Sequence, residues 1–396
     1  MEGGLRFSGG DLKIIVNTIP TLAPLTGVGQ YTYQMARELR RLAPEEEWYS
    51  YYGFVSRKLA GEEEALGASL FTMGKLLRSN RVTKAASRFF QRQAARLQPG
   101  QFDLYFEPNF IPLPEIRSRR CMVTVHDLSF FLYPQWHPKD RVAYFQHHFS
   151  NNIARADIVL ADSNYILNEA CTRLGIPREK LRMIYAGCDH RLFSPQGKEA
   201  VARVRSKYNI SGPYFLYVGT IEPRKNLQAL ARVFGRFASG RKRPPQLVLC
   251  GYQGWSNTEI MGEFESLAQR EMLRFLGYVP AKDLPGLYSG AVSLVYPSLY
   301  EGFGLPVVEA MASGCPVLCS DRASLPEAAG DAALFVDPEN DEEILGGLRR
   351  IEGDAGLRAS MREKGLRQSG RFSWERSAAE ILALMRELAE AEGQAP

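Results

Sequence analysis

The chain has 396 residues, 45% hydrophobic and 23% charged, a composition that excludes a disordered or fibrous protein and has room for two ordinary hydrophobic cores. Its net charge of +5 is too small and diffuse to argue for nucleic acid, and six dispersed cysteines with only five histidines suggest neither a disulfide framework nor a zinc site. The N-terminus has no signal-like apolar stretch, and no run of about 18 apolar residues follows, so the expected location is the cytoplasm.

In chain order, short β-branched or aromatic runs alternate with helical patterns, which is the signature of parallel βαβ units. "LKIIVNT" opens the first half and leads into a long turn in which Gly27 and Gly29 precede a helix. Two readings fit that turn: a plain tight turn, or close approach of a ligand to the backbone. It fails as a dinucleotide fingerprint, because a third glycine is missing and Pro20 and Pro24 lengthen the turn. Residues 74–97 then carry Lys75, Arg78, Arg81, Lys84, Arg88, Arg92 and Arg96 with no acid, which suits either an anionic membrane surface or a solvated helix face. "VTVHD" ends a strand with His126 and Asp127, where a helix-capping Asp with a structurally paired His competes with a functional pair at the strand's carboxyl end. "DIVLADS" completes the strands of this half, and no nucleophile-elbow pattern supports a hydrolytic triad.

The second half repeats the pattern after a polar segment at 197–213, read as a linker. "YFLYVGT" places Thr220 at a strand end, and "EPRKN" sets Arg224 and Lys225 before a helix, two cations suited to a diphosphate. "QLVLCG", "VSLVYPS" with Ser298 at its end, and "PVLCSD" follow, and residues 372–392 form a last amphipathic helix. The fold class is therefore α/β, with two doubly wound, Rossmann-like domains, 11–200 and 209–371, followed by the segment 372–396. Open parallel sheets bind ligands beyond the carboxyl ends of their strands, so the two should face each other across a cleft.

The stretch 297–316, "PSLYEGFGLPVVEAMASGCP", is the most informative. Glu309 alone would pass as an acid in the first turn of a helix. Gly302, Phe303, Gly304 and Leu305 ahead of Pro306, however, form a loop whose amides point out at a helix N-terminus, an anion site. With Glu301 and Glu309 beside it, the ligand needs both phosphate and hydroxyls, as a nucleotide sugar has.

Taken with "VHDLSF", "VGTIEPRKN", "LGYVPAKDLPGLYSGA" and "EGFGLPVVEA", the chain resembles bacterial retaining glycosyltransferases of family 4 from about residue 12 to about residue 392. The resemblance implies the GT-B architecture, with 11–200 the acceptor-side domain, 209–371 the nucleotide-side domain and 372–396 packing back on the first. It also implies that Glu309 holds the donor ribose, and that Glu301 with the Phe303 and Gly304 amides meets the donor sugar and phosphate. Lys225 matches the diphosphate lysine, His126 the residue facing the sugar, Gly27 and Gly29 the closing loop, and Tyr278 with Val279 the nucleobase segment. Thr220 stands where the family commonly has an arginine, which makes Arg224 the replacement. No metal or other cofactor is expected, since the two cations and the helix N-terminus already answer the leaving diphosphate. The subgroup resembles mannosyl- or rhamnosyltransferases of cell-surface polysaccharide, with GDP-mannose the first donor, a glycan or lipid-linked oligosaccharide acceptor, and peripheral contact with the membrane. A rhamnosyl- or glucosyltransferase is the alternative. An NAD-dependent dehydrogenase, lacking its glycine fingerprint, and a non-catalytic sugar-nucleotide-binding protein are more remote.

Overall fold

The computed structural model describes residues 12–22, 25, 27–60, 101–252, 254, 255 and 258–390. The basic segment 74–97 lies outside the described residues. The first sheet comprises β1 (Lys13–Asn17), β2 (Glu47–Tyr51), β3 (Val55–Ser56), β4 (Phe102–Glu107), β5 (Ser118–Val125), β6 (Ile158–Ala161) and β7 (Leu181–Met183). Their order is β3-β2-β1-β4-β5-β6-β7, parallel except for the β2–β3 pair. The second comprises β8 (Tyr214–Val218), β9 (Gln246–Cys250), β10 (Leu273–Gly277), β11 (Ser293–Tyr296), β12 (Val317–Ser320) and β13 (Ala333–Val336). It runs β10-β9-β8-β11-β12-β13 and is wholly parallel.

The central strands read as continuous apolar runs because helices cover both of their faces. Every residue of "QLVLC" and "SLVY" is buried, and four of the five in "KIIVN" are. The helix Leu227–Ala238 shows the complementary period: Leu227, Leu230, Ala231, Phe234, Phe237 and Ala238 share one buried face. In each sheet the strand order reverses beside the first strand, between β1 and β4 and between β8 and β11. A ligand crevice forms at such a switch point. The loops that leave these four strands carry most of the residues singled out above.

Residues 197–213 are not a free tether. They contain the helix Lys198–Lys207, which packs on the helix Leu284–Gly290 of the second domain. Val201 and Val204 supply its apolar face against Gly290 and Gly286, while Lys207 and Tyr208 both donate to Asp283, at 2.5 and 2.6 Å. The final helix, Trp374–Glu390, returns to the first domain and lies on the helix Gly27–Leu42, with Arg41–Glu375 and Arg386–Glu45 ion pairs at its flanks. The two chain crossings touch where Cys188 bridges Ser373, and a Cβ on Gly187 would overlap the backbone of Trp374. Among the described residues no helix is long and apolar enough to cross a membrane.

Candidate active site

Both domains line a cleft of about 620 Å³. On its second-domain wall, the turn Pro223–Lys225 follows β8 and presents both cations. Arg224 donates to Glu222 at 2.5 Å, to Glu301 at 3.0 Å and to the Tyr300 carbonyl at 3.3 Å. Lys225 donates to Glu301 at 2.5 Å and to the Tyr296 hydroxyl at 3.1 Å. Lys225 and Glu301 are each only 5% exposed, a burial that charges tolerate when they are paired. Burial alone would raise the Glu301 pKa, but Lys225 and then Arg224 hold it below the usual carboxylate range. Burial, reinforced by the neighbouring Arg224, pushes the Lys225 ammonium down. Glu301 is thus the common counter-charge of the cation pair.

The loop after β11 runs from there into the helix Leu305–Ala312. Gly304 takes φ 103°, a conformation that favours glycine, and a Cβ there would also stand 2.7 Å from Leu325. Gly302 packs so tightly on the His126 carbonyl across the cleft that a Cβ would overlap it. Gly302, Phe303, Gly304 and Leu305 all line the cleft, so the helix N-terminus opens into it as an anion site. Glu309 sits one turn farther along, not in the first turn, which removes the helix-dipole reading. Its carboxyl lines the cleft and accepts from Tyr288 at 3.1 Å. Burial pushes its pKa up to about 8. Thr220 and Val279 line the same wall, and Tyr278 stacks on Tyr252 with ring centroids 5.1 Å apart at the rim. Ser298, fully buried two residues beyond β11, is not itself part of the cleft lining but stands behind it and helps hold the Glu301 pKa down.

The first-domain wall is built differently. His126, beyond β5, holds Asp162 Oδ2 through Nδ1 at 2.5 Å and donates from Nε2 to the Pro108 carbonyl at 2.8 Å. Burial lowers its pKa, but the Asp162 carboxylate more than offsets this and the net shift is upward. With both nitrogens engaged, His126 is a locked imidazolium, edged by Tyr31 and Phe110. Asp127 forms a turn by accepting the Ser129 amide and hydroxyl at 2.9 and 2.6 Å. It also lies 3.8 Å from Arg224 of the opposite wall. The paired-histidine reading is therefore correct, at a place that also lines the cleft, whereas Asp127 is not the cap of the helix Ser129–Leu132, whose N-cap is Leu128, but closes the turn ahead of it. Gly27 and Gly29 line it too, but inside the first turn of the helix Gly27–Leu42, not ahead of it. Gly27 can start that helix because φ 33° costs it little.

Sequence reasoning missed Asp162, Glu222 and the Tyr252 partner of Tyr278. Asp162 had a usable signal, since it follows β6 at the same strand-end position that singled out His126. The tightly joined walls add Ser163 Oγ to the Gly302 carbonyl at 2.8 Å and the Glu327 carboxylate on the amides that open the helix Asn164–Leu174. Among the described residues no three His, Cys, Asp or Glu side chains cluster as metal ligands. Chemically, the cleft pairs a cationic turn and a helix N-terminus, fit for a diphosphate, with carboxyls fit for hydroxyls.

Residues 201–368 match the family described as Glycosyl transferases group 1, and residues 25–192 match Glycosyltransferase Family 4. The chain is 33% identical to the O-antigen chain mannosyltransferase B of Escherichia coli over 92% of its own length and 97% of that protein's. In fold it is similar to the sucrose-phosphate synthase of Thermosynechococcus elongatus, with a TM-score of 0.72 at 20% identity over 96% of this chain and 100% of that one. It is also similar to HepE of Anabaena, solved with UDP and glucose, with a TM-score of 0.67 at 17% identity over 95% and 100% of the two chains. A match that runs through both halves of the chain, joined to two facing doubly wound domains, places it among the family 4 glycosyltransferases of the GT-B fold.

Proposed function

We propose that this glycosyltransferase is a retaining mannosyltransferase that moves mannose from GDP-mannose to a growing, lipid-linked cell-surface polysaccharide on the cytoplasmic face of the membrane. The observation that carries the chemistry is the shared counter-ion: Arg224 and Lys225 both face Glu301 beside an open helix N-terminus in one cleft. The choice of mannose rests on the near full-length similarity to an O-antigen mannosyltransferase.

In this reading the diphosphate draws Arg224 and Lys225 toward itself, the amides around Gly304 meet the phosphate, Glu309 accepts from the ribose hydroxyls, and Glu301 turns to the sugar hydroxyls. Tyr278 and Tyr252 take the base. The acceptor hydroxyl attacks the anomeric carbon from the side the diphosphate leaves. The carbon–oxygen bond to phosphate breaks with its electron pair, and the acceptor proton passes to the departing phosphate oxygen. Front-face attack is favoured because the cleft's carboxyls are committed elsewhere: Glu301 to the sugar hydroxyls in this reading, Asp162 to His126 and Asp127 to Ser129. Negative charge developing on the diphosphate is met by preorganised cations and amides, so transfer needs no metal.

A panel of nucleotide sugars, read by thermal shift and by release of nucleotide diphosphate, tests the donor; a ligand at about 100 times its dissociation constant adds roughly 2.7 kcal/mol. GDP-mannose should give the largest shift and an α-linked product whose formation survives EDTA. A larger response to a UDP- or dTDP-sugar overturns the donor, and loss of activity in EDTA overturns metal independence. Contact with anionic membrane through residues 74–97 should be salt-sensitive and weaken when Arg88, Arg92 and Arg96 become glutamine. Unchanged liposome co-sedimentation of that triple variant would reject it.

A further inference from the structure

Beyond β9 the chain of the second domain sends Trp255 across to the first. Its indole Nε1 donates to the Trp136 carbonyl at 2.6 Å, and the Arg141 guanidinium lies over its ring, 4.7 Å from the centroid. The His137 ring stands 5.8 Å away on the same side of the cleft. Trp255 and Arg141 both line the cleft. Among the described residues Arg141 has no ion pair, which leaves its charge free for the indole face.

The base of this reach is fastened to the segment that carries the cations. The Ile221 amide donates to the Tyr252 carbonyl at 2.9 Å, and the Gly254 amide donates to the Ile221 carbonyl at 3.0 Å. Glycine is needed for both approaches. A Cβ on Gly254 would stand 2.5 Å from the Ile221 carbonyl oxygen, and one on Gly251 would overlap the Gly219 carbonyl. Three residues beyond Ile221 come Arg224 and then Lys225. The tryptophan that touches the first domain and the turn that faces the diphosphate are therefore one mechanical unit.

We infer that Trp255 is a positioning residue for the transfer reaction: supplied by the donor-side domain, it clasps Trp136 and Arg141 of the acceptor-side domain and shuts the cleft mouth while the cation turn is seated opposite Asp127. Its consequence for turnover rests on the function proposed above; the clasp itself does not. Shutting the mouth matters because water competes with the acceptor hydroxyl for the anomeric carbon: it would attack that carbon, give its proton to the departing diphosphate and release free sugar. Trp255 selects between the two nucleophiles without touching either.

The test compares wild type with Trp255→Ala, Trp255→Phe and Arg141→Gln in the full chain. Four readouts are taken: radius of gyration by X-ray scattering with saturating GDP, GDP affinity by calorimetry, donor KM and kcat, and the ratio of donor hydrolysis to transfer. Trp255→Ala should expand the particle and raise the hydrolysis ratio severalfold. Its kcat should fall roughly tenfold, the size of one lost hydrogen bond plus one cation–π contact. GDP affinity and donor KM should move by less than about threefold, because the indole's own contacts are with Trp136, Arg141 and His137 of the first domain and not with the groups assigned to the nucleotide. Trp255→Phe and Arg141→Gln should lie between, and they carry the same test if Trp255→Ala fails to fold. A compact variant with the wild-type ratio of hydrolysis to transfer overturns the clasp. A wild type that consumes no nucleotide sugar overturns the proposed function instead, and the scattering comparison still decides on the clasp.

Discussion

The two walls of the cleft use buried charge in opposite ways. On the second-domain wall, Arg224 and Lys225 share one carboxylate, Glu301, with Glu222 accepting from the arginine's Nε. An anion entering the cleft can take the place of that carboxylate, because folding has already stripped both cations of water and only the anion's own hydration remains to be lost. On the first-domain wall, His126 is bound at both nitrogens, and the adjoining Glu107 accepts from Tyr105 and Asn17. Burial pushes the Glu107 pKa up to about 8, and both ring nitrogens of His126, which lines the cleft, are already engaged. One wall is built to exchange partners and the other to hold its shape. Engaging both ring nitrogens fixes the orientation of His126 and stiffens that wall.

The sharpest way to break the comparison is to remove the shared counter-ion. Glu301→Gln leaves two buried cations short of charge, so stability without ligand should fall by about 3–5 kcal/mol. GDP should recover more melting temperature in the variant than in wild type, since the diphosphate then supplies the missing charge. Equal recovery, measured by scanning calorimetry, would mean that the pair does not exchange partners. Lys225→Ala should in addition lower turnover by roughly 10²–10³, the scale of one lost preorganised donor.

The opposite wall should answer through stability and not through affinity. Asp162→Asn should reduce stability by roughly 1–3 kcal/mol near neutral pH, because His126 then keeps a buried nitrogen without its charged partner. GDP affinity should change by less than about twofold. The sign of the pH effect follows from the raised His126 pKa. Stability from the pair is complete below the unfolded histidine value of about 6.5 and is lost as pH rises through the folded value. Chemical denaturation across pH 5.5–9 should show that loss in wild type and a flatter profile in the variant. A large drop in GDP affinity would place Asp162 in the ligand-exchanging machinery after all.

Smaller effects sharpen the contrast within the second wall. Because the Glu309 pKa is pushed up to about 8, its carboxyl is largely protonated at neutral pH, while a ribose hydroxyl bonds best to the ionised form. GDP affinity should therefore rise about tenfold from pH 7 to well above pH 8, since one pKa unit corresponds to a factor of ten. Glu309→Gln should flatten that rise, and a wild-type affinity independent of pH would remove Glu309 from the ribose site. Tyr278→Ala should be the mildest, weakening GDP by roughly three- to tenfold through lost stacking. No change at all would put the base elsewhere than on the Tyr252–Tyr278 pair.

Much of this site was legible in the sequence for identifiable reasons. Arg224, Lys225, Glu301, Gly302, Gly304 and Glu309 stand on loops just past strand ends or one helical turn beyond, and local patterning marks those places. Ser298, picked out by the same rule, is buried behind the cleft lining and bears on the site through the Glu301 carboxylate, a depth that alternation does not reveal. The segment 197–213 looked like a linker because its polar residues dominate the count, yet Val201 and Val204 suffice to anchor one face. Asp162 was passed over because a single acid after a strand carries no signal until its partner is known.

Two largely parallel sheets and the glycine loops follow from the sequence by itself, because strand and helix periods and the steric freedom of glycine are local properties of a few neighbouring residues. The partners of the charges do not. Glu301 meets Arg224 and Lys225 from 77 and 76 residues away, and His126 meets Asp162 from 36. Trp255 reaches Trp136 from 119 residues away, across the cleft. Only tertiary packing decided which of these groups are buried together, and in a low-dielectric interior that choice sets which carboxyl neutralises which cation, which histidine stays charged and which contact holds the two domains closed.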